Sequence, residues 1–250
     1  LLRKPLLIHE QNAVAGTTNR MLAPLATTIV AGFAGAFQHG IHTRVLGNPV
    51  RRELIQARAA NSYAFDGQRP LQLLVLGGSL GAQPINEVVP EAVQALVREH
   101  GAKIQVRHQS GAGHDIGVQQ RYGQLLEQGI QVAPFIEDMA AAYAWADLVL
   151  CRAGALTVAE LCVMGRPAIL VPLPHAIDDH QTANARALTD CGGAILLPQR
   201  DMNAASVLDL LQALQGDPQR LCAMAAAASA AATPDAAARV SDCCEELMYA

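Results

Sequence analysis

Four short stretches of this sequence concentrate residue types that could do chemistry. The first is Gly77-Gly78-Ser79-Leu80-Gly81-Ala82, set between an apolar run and an amphipathic one. Glycines let backbone N–H groups approach an anion closely, and a helix N-terminus behind them adds a favourable dipole. The stretch has neither the Gly-Lys-Ser/Thr of a Walker loop nor a G-x-G-x-x-G fingerprint, so an unliganded strand-to-helix turn accounts for it equally well. The second, Cys151-Arg152-Ala153-Gly154-Ala155-Leu156-Thr157-Val158-Ala159-Glu160, opens another helix after another apolar run. Two helix N-termini would then face one diphosphate. Glu160 offers two acceptor oxygens at the spacing of vicinal hydroxyls, which suits a ribose; a first-turn glutamate complementing the helix dipole is the plainer reading.

The third stretch, Pro174-His175-Ala176-Ile177-Asp178-Asp179-His180-Gln181-Thr182-Ala183-Asn184, crowds two His, two Asp, a Gln and an Asn into one loop and helix start. The spacing of His175, Asp179 and His180 matches no standard zinc pattern. Sugar recognition needs several neutral donors and acceptors, which this loop supplies, while Asp178 or Asp179 can simply cap the helix. The fourth, His9-Glu10-Gln11-Asn12, directly follows a strand-like run. A lone His there is more often structural than catalytic, but four polar residues closing an apolar strand are harder to dismiss.

These residues need elements to hold them. Residues 6–9 and 27–31 read as strands around a helix at 18–26. Residues 44–69, with Gly47-Asn48-Pro49 and a short helix near 51–58, read as a connection. From 71 onward short apolar runs at 71–76, 104–108, 131–135, 147–151, 168–172 and 194–197 alternate with helical periods. Fully apolar strands alternating with helices predict a parallel sheet covered on both faces, and right-handed crossovers make it doubly wound and Rossmann-like. The fold class is α/β. Ligands of such sheets lie beyond the carboxyl ends of the strands, where the stretches at 77–82, 152–160 and 174–184 fall.

Composition narrows the function classes. The 250 residues are 51% hydrophobic with a formal net charge of −4, and no Lys/Arg block tracks a phosphate backbone, so nucleic acid is not an expected partner. Six cysteines include no C-x-x-C pair and sit mostly in apolar runs, as reduced buried thiols of a cytoplasmic protein do. No uncharged apolar stretch reaches the length of a membrane span. The opening Leu1-Leu2-Arg3-Lys4-Pro5 carries no initiator Met, so the chain reads as the later part of a longer protein.

Taken together the stretches resemble the MurG family, bacterial cell-wall transferases that use UDP-N-acetylglucosamine. The resemblance spans nearly the whole chain. It rests on His9-Glu10-Gln11-Asn12 with Gly16 and Asn19, Gly47-Asn48-Pro49-Val50-Arg51, Gly77-Gly78-Ser79 and His108-Gln109-Ser110-Gly111. It continues through Phe135-Ile136 with Asp138-Met139, the residues 152–160 and the residues 174–184. Leu80 departs from it, standing where other members often carry Gln. The resemblance implies a two-domain GT-B fold: residues 1–43 the end of an acceptor domain, 44–69 the connection, and 70–250 the Rossmann-like donor domain.

The same resemblance implies roles. Asn12 and Gln181 would contact the N-acetylglucosamine and Ser79 the diphosphate. Arg51 and the backbone of Ile136 would hold the nucleotide, with Ile136 on the uracil edge. Ala155, Leu156, Thr157, Val158, Ala159 and Glu160 would line diphosphate and ribose, with Glu160 on the ribose hydroxyls. The reaction would be inverting transfer of N-acetylglucosamine to the muramoyl 4-hydroxyl of undecaprenyl-linked lipid I, giving lipid II for peptidoglycan. The general base, the lipid-linked acceptor site and the membrane contact are expected in the N-terminal domain, so this chain alone is expected to bind donor without transferring it. The parent is expected peripherally on the cytoplasmic face of the inner membrane.

Three further expectations follow. No cofactor and no metal are expected, because no D-x-D motif would hold a divalent ion against the diphosphate. Residues 1–43, without their parent sheet, are expected to leave Asn12 poorly placed. Glu160→Ala is expected to cost little fold stability. Rival readings are a UDP-sugar 2-epimerase of the same architecture, told apart by an isomerised sugar nucleotide as product, and a nonenzymatic UDP-sugar sensor, which would bind without transfer.

Overall fold

The structure, a computed structural model, describes residues 4–37, 40–60, 62–78, 80–174 and 179–249. The leading segment forms its own small parallel sheet: β1 (Leu7–Glu10), β2 (Thr28–Ala31) and β3 (Arg44–Val45), in the order β1-β2-β3. Helix α1 (Thr17–Leu22) links the first two strands and passes into a 3-10 turn at Ala23–Leu25, so the helix expected at 18–26 is shorter and tightens at Pro24. Strand β3 falls at the start of the stretch 44–69, where the sequence suggests no strand, and pairs with β2 through Val30↔Arg44 and Ala31↔Val45.

After α2 (Arg52–Ala60) the chain enters the large sheet. Its strands are β4 (Leu71–Leu76), β5 (Ile104–Gln109), β6 (Ile130–Ala133), β7 (Leu148–Cys151), β8 (Ala168–Leu170) and β9 (Ala194–Leu196). They are all parallel, in the order β6-β5-β4-β7-β8-β9. The intervening helices are α3 (Gln83–His100), α4 (Asp115–Tyr122), α5 (Met139–Trp145), α6 (Ala155–Met164) and α7 (His180–Thr189). Alternation along β4 explains the two cores. Leu71, Leu73 and Val75 bury against α3 with Ile85, Val89 and Leu96, whereas Leu74 and Leu76 bury on the other face with Tyr143, Val158 and Leu161. Each face is a continuous apolar layer, which is why these strands read as unbroken apolar runs.

Two features fasten the small sheet to the large one. Helices α8 (Ala204–Gln215), α9 (Pro218–Ala230) and α10 (Ala236–Met248) close the chain, and α10 returns to the first sheet. There Cys243 packs with Val30 and Leu46, and Arg44 Nη1 lies 2.7 Å from Glu246 Oε2. The outgoing and returning connections touch: Gly47 has φ +88°, and a Cβ there would overlap the Thr233 side chain.

The connection is also anchored at the base of β7. Arg69 gives two hydrogen bonds of 2.6 Å to the Asp147 carboxylate, which also accepts from the Gln72 amide, while Tyr63 donates to the Asp147 carbonyl. Asp147 is buried and Arg69 half exposed, so removing the carboxylate strands an amide while the guanidinium turns to water. Asp147→Ala is expected to lower stability by about 2 kcal/mol, read as a shift of the urea midpoint with an unchanged slope. A midpoint equal to the wild type would show that the pair adds nothing.

Candidate functional site

The strand order places the site. The chain leaves β4 toward β5 on one side and reaches β7 on the other, so the loops after β4 and β7 diverge and open a crevice at their carboxyl ends. Leu76 pairs with Gln109 and with Cys151, which brings the ends of three strands level. A cavity of about 200 Å³ lies there, and Arg51, Ile136, Thr157 and Glu160 line it together with Gly78, Gln109, Tyr143 and Cys151. Larger hollows lie near Arg186 and Arg200 and near Ile29 and Arg44. They bring together none of the residues singled out for the nucleotide.

Glu160 is the centre of charge. Its Oε1 lies 3.2 Å from Arg51 Nη2, and its Oε2 accepts a 3.1 Å hydrogen bond from the Tyr143 hydroxyl. Tyr143 is wholly buried, and burial with the Glu160 charge beside it raises its ionisation well above the ordinary range, so the phenol stays a donor. Burial also pushes the Cys151 thiol up to about 12, which leaves it no nucleophile. The first turn of α6 begins beside them with Gly154 as its N-cap. Val158 turns its side chain into the core and Ala155 is buried, while Leu156 projects outward, so these residues and Ala159 can meet a ligand chiefly through backbone. Arg152 also lines the cavity, but its guanidinium bonds the Val171 and Pro172 carbonyls and, at 2.7 Å, Gln199, bracing two loops.

Two glycines let the loops after β4 and β5 meet. A Cβ on Gly81, φ +77°, would strike the Ser110 carbonyl, and one on Gly111, φ +88°, would strike the backbone of Gly81. A buried network supports this contact from below. Asn86 of α3 donates to the Ser110 carbonyl at 2.8 Å and meets His108 Nε2, whose Nδ1 meets the Tyr122 hydroxyl. Burial takes His108 down to about 3, so the imidazole remains neutral. Gln109 projects into the crevice and accepts from the Ile136 amide at 3.0 Å. A uracil using that amide would take the place of the carboxamide.

The sugar-side candidates gather at the junction of the two sheets, outside this cavity. Asn184, fully buried on α7, donates to the Ala153 carbonyl and to Asn12 Oδ1, and its own Oδ1 accepts from the Ala13 amide at 2.8 Å. Asn12 is therefore held, against the expectation that it is poorly placed. Glu10 explains the loop around it. Its carboxylate accepts from the amides of Asn12 and Gly16 and from Asn19 Nδ2. Burial opposes its ionisation, but these hydrogen bonds outweigh it and lower its pKa. Gln181 spends its side-chain oxygen on the Leu173 amide. Asp179 is the N-cap of α7 with φ +47°, but its carboxylate accepts from the Thr182 hydroxyl rather than capping an amide.

Ser79, His175 and Asp178 lie outside the described residues. Among the described residues no cluster of His, Cys, Asp or Glu could hold a metal ion, and no helix is long and apolar enough to cross a membrane. Tyr143 and the bridging role of Asn184 escaped the sequence reading. Tyr143 sits in an Ala-rich helix that reads as core, and the partners of Asn184 are separated from it by 171 and 172 positions in one direction and by 31 in the same direction.

Comparison with known proteins gives the family and the fold. Residues 72–240 match the glycosyltransferase family 28 C-terminal domain. The chain is 49% identical over 248 residues to a UDP-N-acetylglucosamine–N-acetylmuramyl-(pentapeptide) pyrophosphoryl-undecaprenol N-acetylglucosamine transferase of Tolumonas auensis, covering 99% of this chain and 68% of that protein. The crystal structure of Acinetobacter baumannii MurG superposes with a TM-score of 0.83 at 38% identity, over 98% of this chain and 67% of that one. A Listeria monocytogenes protein assigned as a UDP-N-acetylglucosamine 2-epimerase is similar at TM-score 0.63 and 16% identity, over 89% of this chain and 60% of that one, a likeness of fold alone.

Proposed function

We infer the function of this chain from its kinship, because it belongs to the MurG family within glycosyltransferase family 28, the transferases of N-acetylglucosamine to N-acetylmuramyl-(pentapeptide) pyrophosphoryl-undecaprenol. Its reaction moves N-acetylglucosamine from UDP-N-acetylglucosamine to the undecaprenyl-linked muramoyl acceptor, lipid I, making lipid II for the bacterial cell wall. The acceptor oxygen is the muramoyl 4-hydroxyl. It attacks the anomeric carbon from the face opposite the diphosphate while a general base takes its proton; the bond from that carbon to the diphosphate oxygen breaks, UDP leaves with its electron pair, and the configuration inverts.

The departing diphosphate gains negative charge. In our reading it lies before the N-termini of α3 and α6, whose unpaired first-turn amides and dipoles favour an anion. Ser79 and the backbone of Ala155, Leu156, Val158 and Ala159, with the Thr157 hydroxyl, receive it. Glu160 takes the ribose hydroxyls, Ile136 the uracil edge through its backbone, and Arg51 shields the charge between them. Asn12 and Gln181 hold the N-acetylglucosamine at the junction of the sheets. Because the acceptor is lipid-linked, the enzyme works at a membrane surface, which we assign to the cytoplasmic face of the inner membrane.

The observation that carries this reading is the convergence of Arg51, Ile136, Thr157 and Glu160 on one crevice at the switch of strand order. Calorimetric titration in EDTA tests it. UDP-N-acetylglucosamine is expected to bind at least about tenfold more tightly than ADP- or GDP-sugars, a difference of about 1.4 kcal/mol. Indifference among the three nucleotides, or binding that requires magnesium, would overturn it.

A further inference from the structure

Glu160 sits in the crevice beside two very different neighbours. Arg51 reaches Oε1 from a half-exposed side chain, whereas Tyr143 reaches Oε2 from full burial. An exposed arginine on a long flexible stem fixes a carboxylate poorly. The tyrosine is different. Its ring is packed in the apolar layer between α5 and the sheet, together with Leu76, Val158 and Leu161. Its hydroxyl is carried to the crevice at a position set by that packing. A buried hydroxyl also needs a partner, and the described structure gives it the Glu160 carboxylate.

We propose that Tyr143 is a positioning residue for nucleotide recognition, orienting the Glu160 carboxylate toward the ribose hydroxyls. This rests on the reading above that Glu160 takes the ribose. With Oε2 held by the buried phenol and Oε1 meeting Arg51, the rotation of the carboxylate is fixed at the wall of the crevice, and each oxygen keeps a lone pair for a ribose hydroxyl. Loss of the hydroxyl alone leaves the ring packing intact. Glu160 is then held by the half-exposed Arg51 alone, and the ribose meets a loosely oriented acceptor.

The test compares UDP with 2′,3′-dideoxyuridine diphosphate, which lacks both hydroxyls, by calorimetry on the wild type, Tyr143→Phe, Glu160→Gln and the double variant. Tyr143→Phe is expected to weaken UDP about three- to tenfold, the scale of one net hydrogen bond, and to leave the dideoxy ligand unchanged. The preference for UDP over the dideoxy ligand narrows accordingly. In the Glu160→Gln background the same substitution is expected to add little, because the pair acts as a unit. Equal weakening of both ligands by Tyr143→Phe would mean a merely structural role and overturn the proposal. So would a full preference for UDP in Tyr143→Phe when Glu160→Gln has lost it. If Glu160→Gln itself keeps the preference, the ribose assignment fails instead, and the positioning role falls with it.

Discussion

Glu160→Ala is expected to weaken UDP and UDP-N-acetylglucosamine alike by about one to two powers of ten, the loss of a charge-assisted hydrogen bond worth about 1.5–3 kcal/mol. The carboxylate lies at the crevice beside Ile136 and Thr157, so its loss removes the acceptor for the ribose directly. The sequence alone predicts that an early helical position tolerates alanine at little cost in stability. The structure adds a cost. Truncation leaves the Tyr143 hydroxyl buried without its acceptor, which is worth about 1–3 kcal/mol of fold stability. Affinity must therefore be measured on folded protein, with melting recorded in parallel. Because α6 begins at Ala155, Glu160 lies beyond its first turn and does not serve the helix dipole as the sequence suggests; normal UDP affinity in a folded Glu160→Ala variant would reduce it to the structural partner of Tyr143 and Arg51.

Gly81→Ala is expected to have the second large effect. The residue has φ +77°, and its new methyl would meet the Ser110 carbonyl, backbone that the Asn86 side chain holds in place. Left-handed strain and a backbone clash together are expected to cost about 3 kcal/mol. The damage should also be selective. The turn after β4 is the one assigned to the diphosphate, so UDP is expected to lose far more affinity than uridine, which has no phosphate. Chemical denaturation and paired titrations read both effects. A variant with wild-type stability and an unchanged ratio of UDP to uridine affinity would show that the close approach of the two loops is not needed.

Much of the large sheet was legible because its strands are buried on both faces. Strand β4 emerged with the bounds its apolar run suggests, and the order of strands and helices followed from their alternation. Strand ends were less legible: β6 stops at Ala133, before the Pro134 that cannot donate to a ladder. Strand β3 was illegible, since two residues, Arg44 and Val45, are too few to show a strand period. At the site, the glycine turns and Glu160 were weak signals taken alone, and only their order beside the other motifs pointed to a nucleotide. What the sequence could not announce was division of labour within a motif. Glu10 and Asn12 are neighbours in one polar run, yet Glu10 is consumed in tying the loop while Asn12 reaches across to Asn184. Such roles depend on partners far away in the chain, which no local pattern encodes.

The crossing of the two connections at Gly47 and Thr233 has a mechanical consequence. Two tethers that touch where they join a pair of bodies would serve as the pivot of any rotation between them, and rotation displaces least what lies nearest the axis. Asn48, the next residue, donates to the Gln11 carbonyl, so the pivot stands beside Asn12. A swing about that point would carry the outer edges of the sheets apart while the Ala13–Asn184 and Asn12–Asn184 contacts stayed near the fulcrum.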